Sequence, residues 1–198
     1  VSGIRPNINK ANGLEWSHCD DLLFPAGNEF HKFEILNVYQ AGMNVDHMRW
    51  FDPYHHATLW SDNVPQNYLS ARDNNGAFYP RTQNQENNST ESEYVIVHFT
   101  LETPPIDDDI YVNGQWSNGE TDQAYLMQYN EEYSCYETSV LLKQGYYEYQ
   151  YITSDGSTTR TMNDFWQTEN EYQSMIYYRE VGGRYDRIVG YSCVNTRH

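Results

Sequence analysis

The stretch from residue 141 to residue 191 constrains the fold of this chain more than any other part of it. It contains two tyrosine-rich strand patterns, LLKQGYYEYQYI and ENEYQSMIYYRE, and then a hairpin signal at Gly182-Gly183. Thirteen of the 19 tyrosines lie after Ala124. Tyr, Val, Ile and Thr favour the pleated surface of a strand, and helical windows rich in Ala and Leu are nearly absent. The chain is therefore predicted to be all-β.

The C-terminal half predicts seven short strands with turn residues between them. Regular spacing of short strands and turns is typical of an immunoglobulin-like β-sandwich. In YVIVHFTL, Val95, Val97, Phe99 and Leu101 alternate with Tyr94, Ile96 and His98, which predicts one buried face. The predicted strands are 94–101, 110–112, 125–129, 135–142, 146–153, 173–180 and 184–191.

The N-terminal half shows a weaker pattern. Strands are predicted at 31–38, 45–53 and 56–60, residues 68–72 fit a helical turn or a strand, and residues 1–30 are expected to be irregular. Asp73-Asn74-Asn75-Gly76 is a strong tight-turn signal because Asn and Gly tolerate positive φ.

The segment 82–93 contains no apolar residue and predicts a linker or long exposed loop. A boundary at this segment predicts two β-sandwich modules. Residues 1–90 would form a smaller or truncated β domain, and residues 91–198 an immunoglobulin-like sandwich of the early-set type.

Charge and hydropathy exclude several functions. The 12 basic and 28 acidic residues give a net charge of −16, which repels nucleic-acid phosphates, so no nucleic-acid partner is expected. No apolar run approaches the roughly 20 residues of a transmembrane helix. No signal peptide is visible in the polar opening VSGIRPNINK, and the chain is therefore expected to be either a fragment of a longer protein or an engineered chain.

No catalytic or cofactor motif is present, so the chain is expected to be non-enzymatic and to bind no cofactor. His47, His55 and His56 lie close together with Asp46 and Asp52. Adjacent His55 and His56 would point to opposite faces of a strand, and a metal site needs three or four convergent ligands. Solvated or hydrogen-bonded histidines are therefore preferred to a metal site.

The three cysteines, Cys19, Cys135 and Cys193, form no metal-binding motif. Three buried free thiols are the preferred interpretation, and one disulfide with a single free thiol is the alternative.

Two tryptophans lie in polar segments and are candidate binding residues. Trp116 occurs in NGQWSNGE with Asn118 beside it, and Trp166 occurs in NDFWQTEN. An aromatic ring can stack on the C–H face of a sugar, so Trp116, Asn118 and Trp166 are the candidate glycan-binding set. Burial of each tryptophan under its own loop is the competing interpretation, and it is the commoner situation for this residue.

Two stretches resemble the early-set immunoglobulin-like modules that bind glycogen or starch. IYVNGQWSNG resembles the opening strand and turn of those modules, and YETSVLLKQGYYEYQYITSDG resembles their later hairpin. The resemblance implies a glycan-stacking role for Trp116, which matches the first motif one or two positions early. After Asp155-Gly156 this chain has Ser157-Thr158-Thr159 and no aromatic residue until Phe165.

A second resemblance spans nearly the whole chain. PAGNEFHKFEI, EYVIVHFTL, LLKQGYYEYQYI, QTENEYQSMIYYR and GGRYDRIVG resemble, in order, the C-terminal portion of the type IX secretion system plug protein family of Bacteroidota. This resemblance implies a periplasmic, outer-membrane-associated protein without enzymatic activity that binds the outer-membrane translocon and occludes its pore.

The sequence thus favours a protein-interaction component of a secretion machinery. A glycan-binding module is the alternative.

Overall fold

The computed structural model describes residues 3–83, 88–119 and 121–196, and it is nearly all-β, as predicted. The strands are β1 Ile8–Lys10, β2 Gly13–Glu15, β3 His31–Ile35, β4 Val45–Phe51, β5 Tyr54–Leu59, β6 Asp62–Asn63, β7 Phe78–Pro80, β8 Tyr94–Glu102, β9 Ile110–Asn113, β10 Gln128–Asn130, β11 Cys135–Lys143, β12 Gly145–Thr153, β13 Glu171–Tyr178 and β14 Arg187–Asn195. Two short helices, α1 Asn88–Glu91 and α2 Thr159–Met162, and three single 3₁₀ turns, Asp20–Leu22, Gln115–Ser117 and Gln123–Tyr125, complete the secondary structure of these residues.

Six strands form the larger sheet, in the order β10-β11-β8-β5-β4 with β6 also paired to β8. The β8–β11 pair is antiparallel, whereas β5 and β6 run parallel to β8. The predicted alternation of β8 is confirmed, because Val95, Val97, Phe99 and Leu101 are all buried.

The second sheet is built on β12, which pairs with β3 and β7 along its first half and with β9 along its second half. Its buried rings meet those of the larger sheet. Phe33 of β3 lies edge-on to Phe99 of β8, with 5.8 Å between ring centroids, and Tyr149 of β12 lies 5.1 Å from Phe99. Aromatic pairs at these distances and tilts stabilise a core beyond their buried area. The two sheets are therefore joined by one aromatic-rich core in a sandwich-like arrangement.

The predicted division at residue 90 does not follow the hydrogen bonding. β4 and β5, from the first predicted module, belong to the same sheet as β8 and β11 from the second. The hydrophobic core also runs across the boundary, from Phe33 to Met162. Sequence composition suggested a linker at 82–93, but strand pairing joins its two sides; residues 84–87 lie outside the described part of the chain.

Other predicted elements differ in detail. The predicted strand 125–129 divides into the Gln123–Tyr125 turn and β10, and residues 68–72 form neither helix nor strand. Residues 1–30, expected to be irregular, contain the small β1–β2 hairpin. The tight turn at 73–76 is confirmed, since Asn75 and Gly76 have φ of 56° and 79° and Ala77 N–H donates to the Asn74 carbonyl.

Candidate functional site

Trp116 is part of the core rather than an open stacking surface. Its ring is partly buried, lies 5.4 Å from the Tyr125 ring and packs against Phe99. Its indole N–H donates to the Glu148 carbonyl oxygen at 3.1 Å. A buried tryptophan usually pairs its N–H in this way. The competing interpretation, burial under its own loop, therefore describes Trp116.

Asn118 ends the same turn in the left-handed conformation, with φ of 54°, and is exposed. It lines a cavity of about 400 Å³ together with Phe30, Asn75 and Gln115. Trp166 does not line that cavity but another one. The structure therefore does not bring Trp116, Asn118 and Trp166 together in a single site.

Trp166 is 73% exposed, in contrast to Trp116. It lies in the segment of residues 163–170 that follows α2, here called the Trp166 loop. This loop is fixed to residues 26–28 by hydrogen bonds in both directions. Phe165 N–H and the Thr168 hydroxyl both donate to the Gly27 carbonyl at 2.9 Å, and Gly27 N–H donates to the Asp164 carboxylate at 2.8 Å.

Two further side chains hold the Trp166 loop. The Asn170 amide donates to the Ala26 carbonyl at 2.8 Å, and the Asn163 amide donates to the Pro65 carbonyl at 3.1 Å. Thr168 is only 3% exposed. The loop is thus held on both sides of Trp166 while the indole ring itself faces solvent.

A groove runs along the Trp166 loop. Two adjoining cavities of about 580 and 560 Å³ share Glu29, Ala71, Arg72 and Glu169 as lining residues. The first extends to Trp166 and is also lined by Tyr68, Ser70, Gln167 and Thr196. The second extends to Asp73 and is also lined by Asn75, Asn170, Glu171 and Asn195. We call the two together the Trp166 groove.

Hydrogen bonds order the groove's acidic floor. The Tyr68 hydroxyl donates to Glu29 Oε1 at 2.5 Å. Asp73 accepts from Phe30 N–H at 2.8 Å and from Asn75 N–H at 3.0 Å. Partial burial raises the pKa of Glu29, and the nearby negative charge of Asp73 adds to this increase. The groove combines an aromatic ring with carboxylate, amide and guanidinium groups, which suits binding of a polar ligand more than an apolar one.

His55 and His56 point to opposite faces of β5, as predicted from their adjacent positions. The His55 ring packs against Trp50 and Tyr39, whereas His56 contacts His98. No group of three or more His, Cys, Asp and Glu side chains in the described ranges is arranged to hold a metal.

A row of three polar side chains across β5, β8 and β11 was not predictable from sequence. His56 Nδ1 lies 2.8 Å from His98 Nε2, and His98 Nδ1 lies 2.7 Å from the Ser139 hydroxyl. Burial lowers the pKa of His98, and His56 and His47 lower it further. This row resembles a nucleophile–base pair in its distances. It lies across the larger sheet, on the neighbouring strands β5, β8 and β11.

Cys135 is buried, Cys19 is partly buried, Cys193 is exposed, and all three are free thiols. The prediction of buried thiols therefore holds at Cys135 and is wrong at Cys193.

The last hairpin, residues 171–195, is the largest departure from the predicted sandwich. β13 and β14 pair only with each other among the described strands, and both faces of this hairpin are exposed. We call it the arm. Ten apolar or aromatic side chains of the arm are each at least 45% exposed: Met175, Ile176, Tyr177, Tyr178, Val181, Tyr185, Ile188, Val189, Tyr191 and Val194.

The two ends of the arm, next to Asn170 and Thr196, connect it to the rest of the chain, which we call the body. Asn170 N–H donates to the Thr196 hydroxyl and Thr196 N–H donates to the Asn170 carbonyl, both at 2.9 Å. Tyr172 packs near Phe24, with 6.0 Å between ring centroids. Farther out, Arg179 forms two hydrogen bonds of 2.8 Å with Asp186 across the hairpin. An isolated two-stranded hairpin is only marginally stable in water. The arm also exposes more apolar surface than is usual for a protein in solution.

Comparison with solved structures identifies a structural relative of this chain. A crystal structure of a hypothetical protein from Parabacteroides merdae superimposes with a TM-score of 0.86 at 36% sequence identity. The match covers 96% of this chain and 50% of that protein, so the chain spans half the length of its relative. No family model and no curated protein matches the chain. Within the described ranges, no helix has the length and apolar character needed to cross a bilayer.

Proposed function

We propose that this chain is a non-enzymatic protein-interaction component and that the arm is its docking element. The single observation that carries the proposal is the arm itself, a hairpin that exposes apolar and aromatic side chains on both faces. Patches of this kind on otherwise polar proteins mark interaction sites. Tyr, Met and Arg are enriched in protein interfaces, and the arm contains all three.

Charge supports the same assignment. The three arginines and three acidic residues of the arm cancel, whereas the whole chain carries −16. The arm is therefore a neutral, apolar extension of a strongly acidic body. Such an extension can approach another protein with little electrostatic repulsion, and burial of its apolar area would stabilise the complex.

The partner in this proposal is the outer-membrane translocon of a type IX secretion system, in the periplasm, where the chain would act as a plug. The resemblance of five ordered sequence stretches supports it, and the structural relative comes from an organism of the Bacteroidota. The all-β fold is compatible with it, and the immunoglobulin-like character of the C-terminal half belongs to the same proposal. The mechanism would be steric, since a rigid β-rich body held by the arm would obstruct the pore.

The test is recovery of the translocon from detergent-solubilised cell envelopes with the wild-type chain and two matched variants. Tyr191→Lys changes an arm residue that is 60% exposed, and Tyr133→Lys changes a residue of similar exposure, 67%, in the β10–β11 turn. We expect the wild type and Tyr133→Lys to recover the translocon and Tyr191→Lys to recover much less. Recovery of unrelated proteins alone, or equal recovery by both variants, would overturn the proposal.

A further inference from the structure

We propose that the Trp166 groove binds the sugar rings of a neutral oligosaccharide. This inference goes beyond protein docking, because the groove is lined by residues of the Trp166 loop and of 68–73 and, at the base of the arm, by Glu171 and Asn195. None of the ten exposed apolar side chains of the arm lines it. It also differs from the site expected from sequence, since it retains Trp166 and replaces Trp116 and Asn118 with Glu29, Arg72 and Glu169.

The first step is the position of the indole ring. A large aromatic side chain that is 73% exposed loses the stabilisation that burial would provide. The exposure of Trp166 does not come from a disordered loop. Phe165 and Thr168, on either side of it, are both hydrogen-bonded to Gly27. The fold therefore holds the ring outward beside a cavity. A ring in this position offers its face to the C–H groups of a sugar.

The second step is the chemistry of the groove floor. Sugar hydroxyls donate and accept hydrogen bonds, and planar carboxylate, amide and guanidinium groups can contact two neighbouring hydroxyls at once. Glu29, Arg72 and Glu169 line both halves of the groove, and Gln167, Asn170 and Asn195 lie along it. Such a lining matches a ligand that has polar edges and an apolar ring face.

The third step is the size of the groove. Each of its two adjoining cavities, about 580 and 560 Å³, has the volume of a small-molecule site. Trp166 lines only the first, and Asp73 and Asn75 line only the second. Two adjoining cavities of this volume suit a chain of several sugar rings better than a single ring.

The fourth step is selection by charge. Four carboxylates, Glu29, Asp73, Glu169 and Glu171, face the groove with the single guanidinium of Arg72. This excess of negative charge disfavours uronic-acid and sulfated glycans through repulsion. Neutral oligosaccharides carry no such penalty.

The fixed backbone favours binding further. The Trp166 loop is already ordered by five hydrogen bonds from or to residues 26, 27 and 65, so little conformational entropy is lost when a ligand binds.

The experiment uses the complete chain on an array of cello-, xylo-, malto- and manno-oligosaccharides, with chitosan and polyuronate fragments and heptalysine as further probes. Calorimetry with the strongest neutral oligosaccharide then compares Trp166→Ala with Trp60→Ala, a matched control because Trp60 is 62% exposed and lies outside the groove. Loss of one stacked ring should weaken binding about tenfold in Trp166→Ala. Trp60→Ala should bind like the wild type, and Trp166→Phe should retain most of the affinity.

Three outcomes would overturn the inference. They are no binding to any neutral oligosaccharide, binding that Trp166→Ala leaves unchanged, and binding restricted to heptalysine, which would identify a site for basic peptides. The result is independent of the proposed docking function. Tyr191→Lys should keep its oligosaccharide affinity, and Trp166→Ala should still recover the translocon.

Discussion

Glu148 shows how a single residue organises the region around the groove. It is a carboxylate with 0% exposure, in the centre of β12. Its oxygens accept hydrogen bonds from the Asn74 and Gly76 backbone N–H groups and from the Tyr146 hydroxyl. Its own carbonyl accepts the Trp116 indole N–H. One buried side chain thus fixes the 73–76 turn, which borders the Trp166 groove.

Removal of this carboxylate should be costly. Glu148→Ala would leave the buried Gly76 N–H and the partly buried Asn74 N–H without their acceptor, and we expect a loss of about 3 kcal/mol in the free energy of unfolding. Glu148→Gln keeps one acceptor oxygen and should lose less. Urea denaturation measures both. Glu132→Ala, an exposed control, should stay within about 0.5 kcal/mol of the wild type. A Glu148→Ala variant as stable as this control would contradict the assignment.

His98 makes stability depend on pH. Burial, His56 and His47 lower its pKa below the ordinary value of 6.5 in the folded state. The unfolded chain then binds more protons than the folded chain just below pH 6.5, so this residue's contribution to stability falls as the pH falls through that window. Denaturant unfolding at pH 7.5 and pH 5.5 should show a smaller acid loss in His98→Asn than in the wild type.

His18 provides the control for this measurement, because it is exposed and lies in the N-terminal region. His18→Asn should reproduce the wild-type pH dependence. Identical acid losses in His98→Asn and the wild type would show that the protonation of His98 is not coupled to folding.

Of the residues that line the Trp166 groove, the sequence alone predicts one as a candidate binding residue. Trp166 was a candidate because it lies in a polar segment, and the structure exposes it. Trp116 lies in an equally polar segment and is partly buried, because its loop folds onto Glu148 and Phe99. Glu29, Tyr68 and Arg72 could not be found, since long-range folding brings residues from distant parts of the sequence to the groove.

Strands with strong alternation are well predicted from sequence. β8, β11 and β12 begin and end within one residue of expectation, because β8 and β12 each have a fully buried face and β11 has a mostly buried one. The hairpin of β13 and β14 was also expected, but as part of the sandwich. Its apolar residues gave the same signal as core residues, and alternation alone cannot show that nothing packs against them.

The arm should be the least protected long hairpin in hydrogen exchange. Among the described strands, none pairs with the outer edge of β13 or β14, and the two strands expose most of their side chains. Local opening of such a hairpin costs little free energy, whereas β8 and β12 open only with the whole core. Amides of β13 and β14 should therefore exchange at least about a hundredfold faster than those of β8 and β12. Equal protection in the isolated chain would contradict the arm's independence.

Composition predicts two separate modules, whereas backbone hydrogen bonds join strands from both of them in the same sheets. The polar segment 82–93 looks like a linker, but the sheets require strands from both sides of it. Local sequence does not encode a parallel pair such as β5–β8, because its two strands are distant in the chain and are connected by a long crossover.

Separate halves should therefore fail to fold. A chain of residues 91–198 would lose the buried side chains of Phe33, Ile35, Val45, Ala57 and Leu59 from its core. Each large apolar side chain contributes about 1.5–3 kcal/mol when buried, and the total approaches the stability of a whole domain. We expect residues 91–198 and residues 1–90 each to lack a cooperative thermal transition in circular dichroism. A cooperative transition for residues 91–198 alone would restore the two-module interpretation.

We propose that the arm holds the chain on a partner protein, and site-specific photocrosslinking in intact cell envelopes would detect this contact in place. A photoreactive phenylalanine analogue would replace Tyr177 on the arm, which is 59% exposed, or Tyr133 on the body. We predict a crosslink between position 177 and an outer-membrane translocon protein, with none from position 133. Absence of that crosslink at position 177, or an equal one at position 133, would contradict the claim.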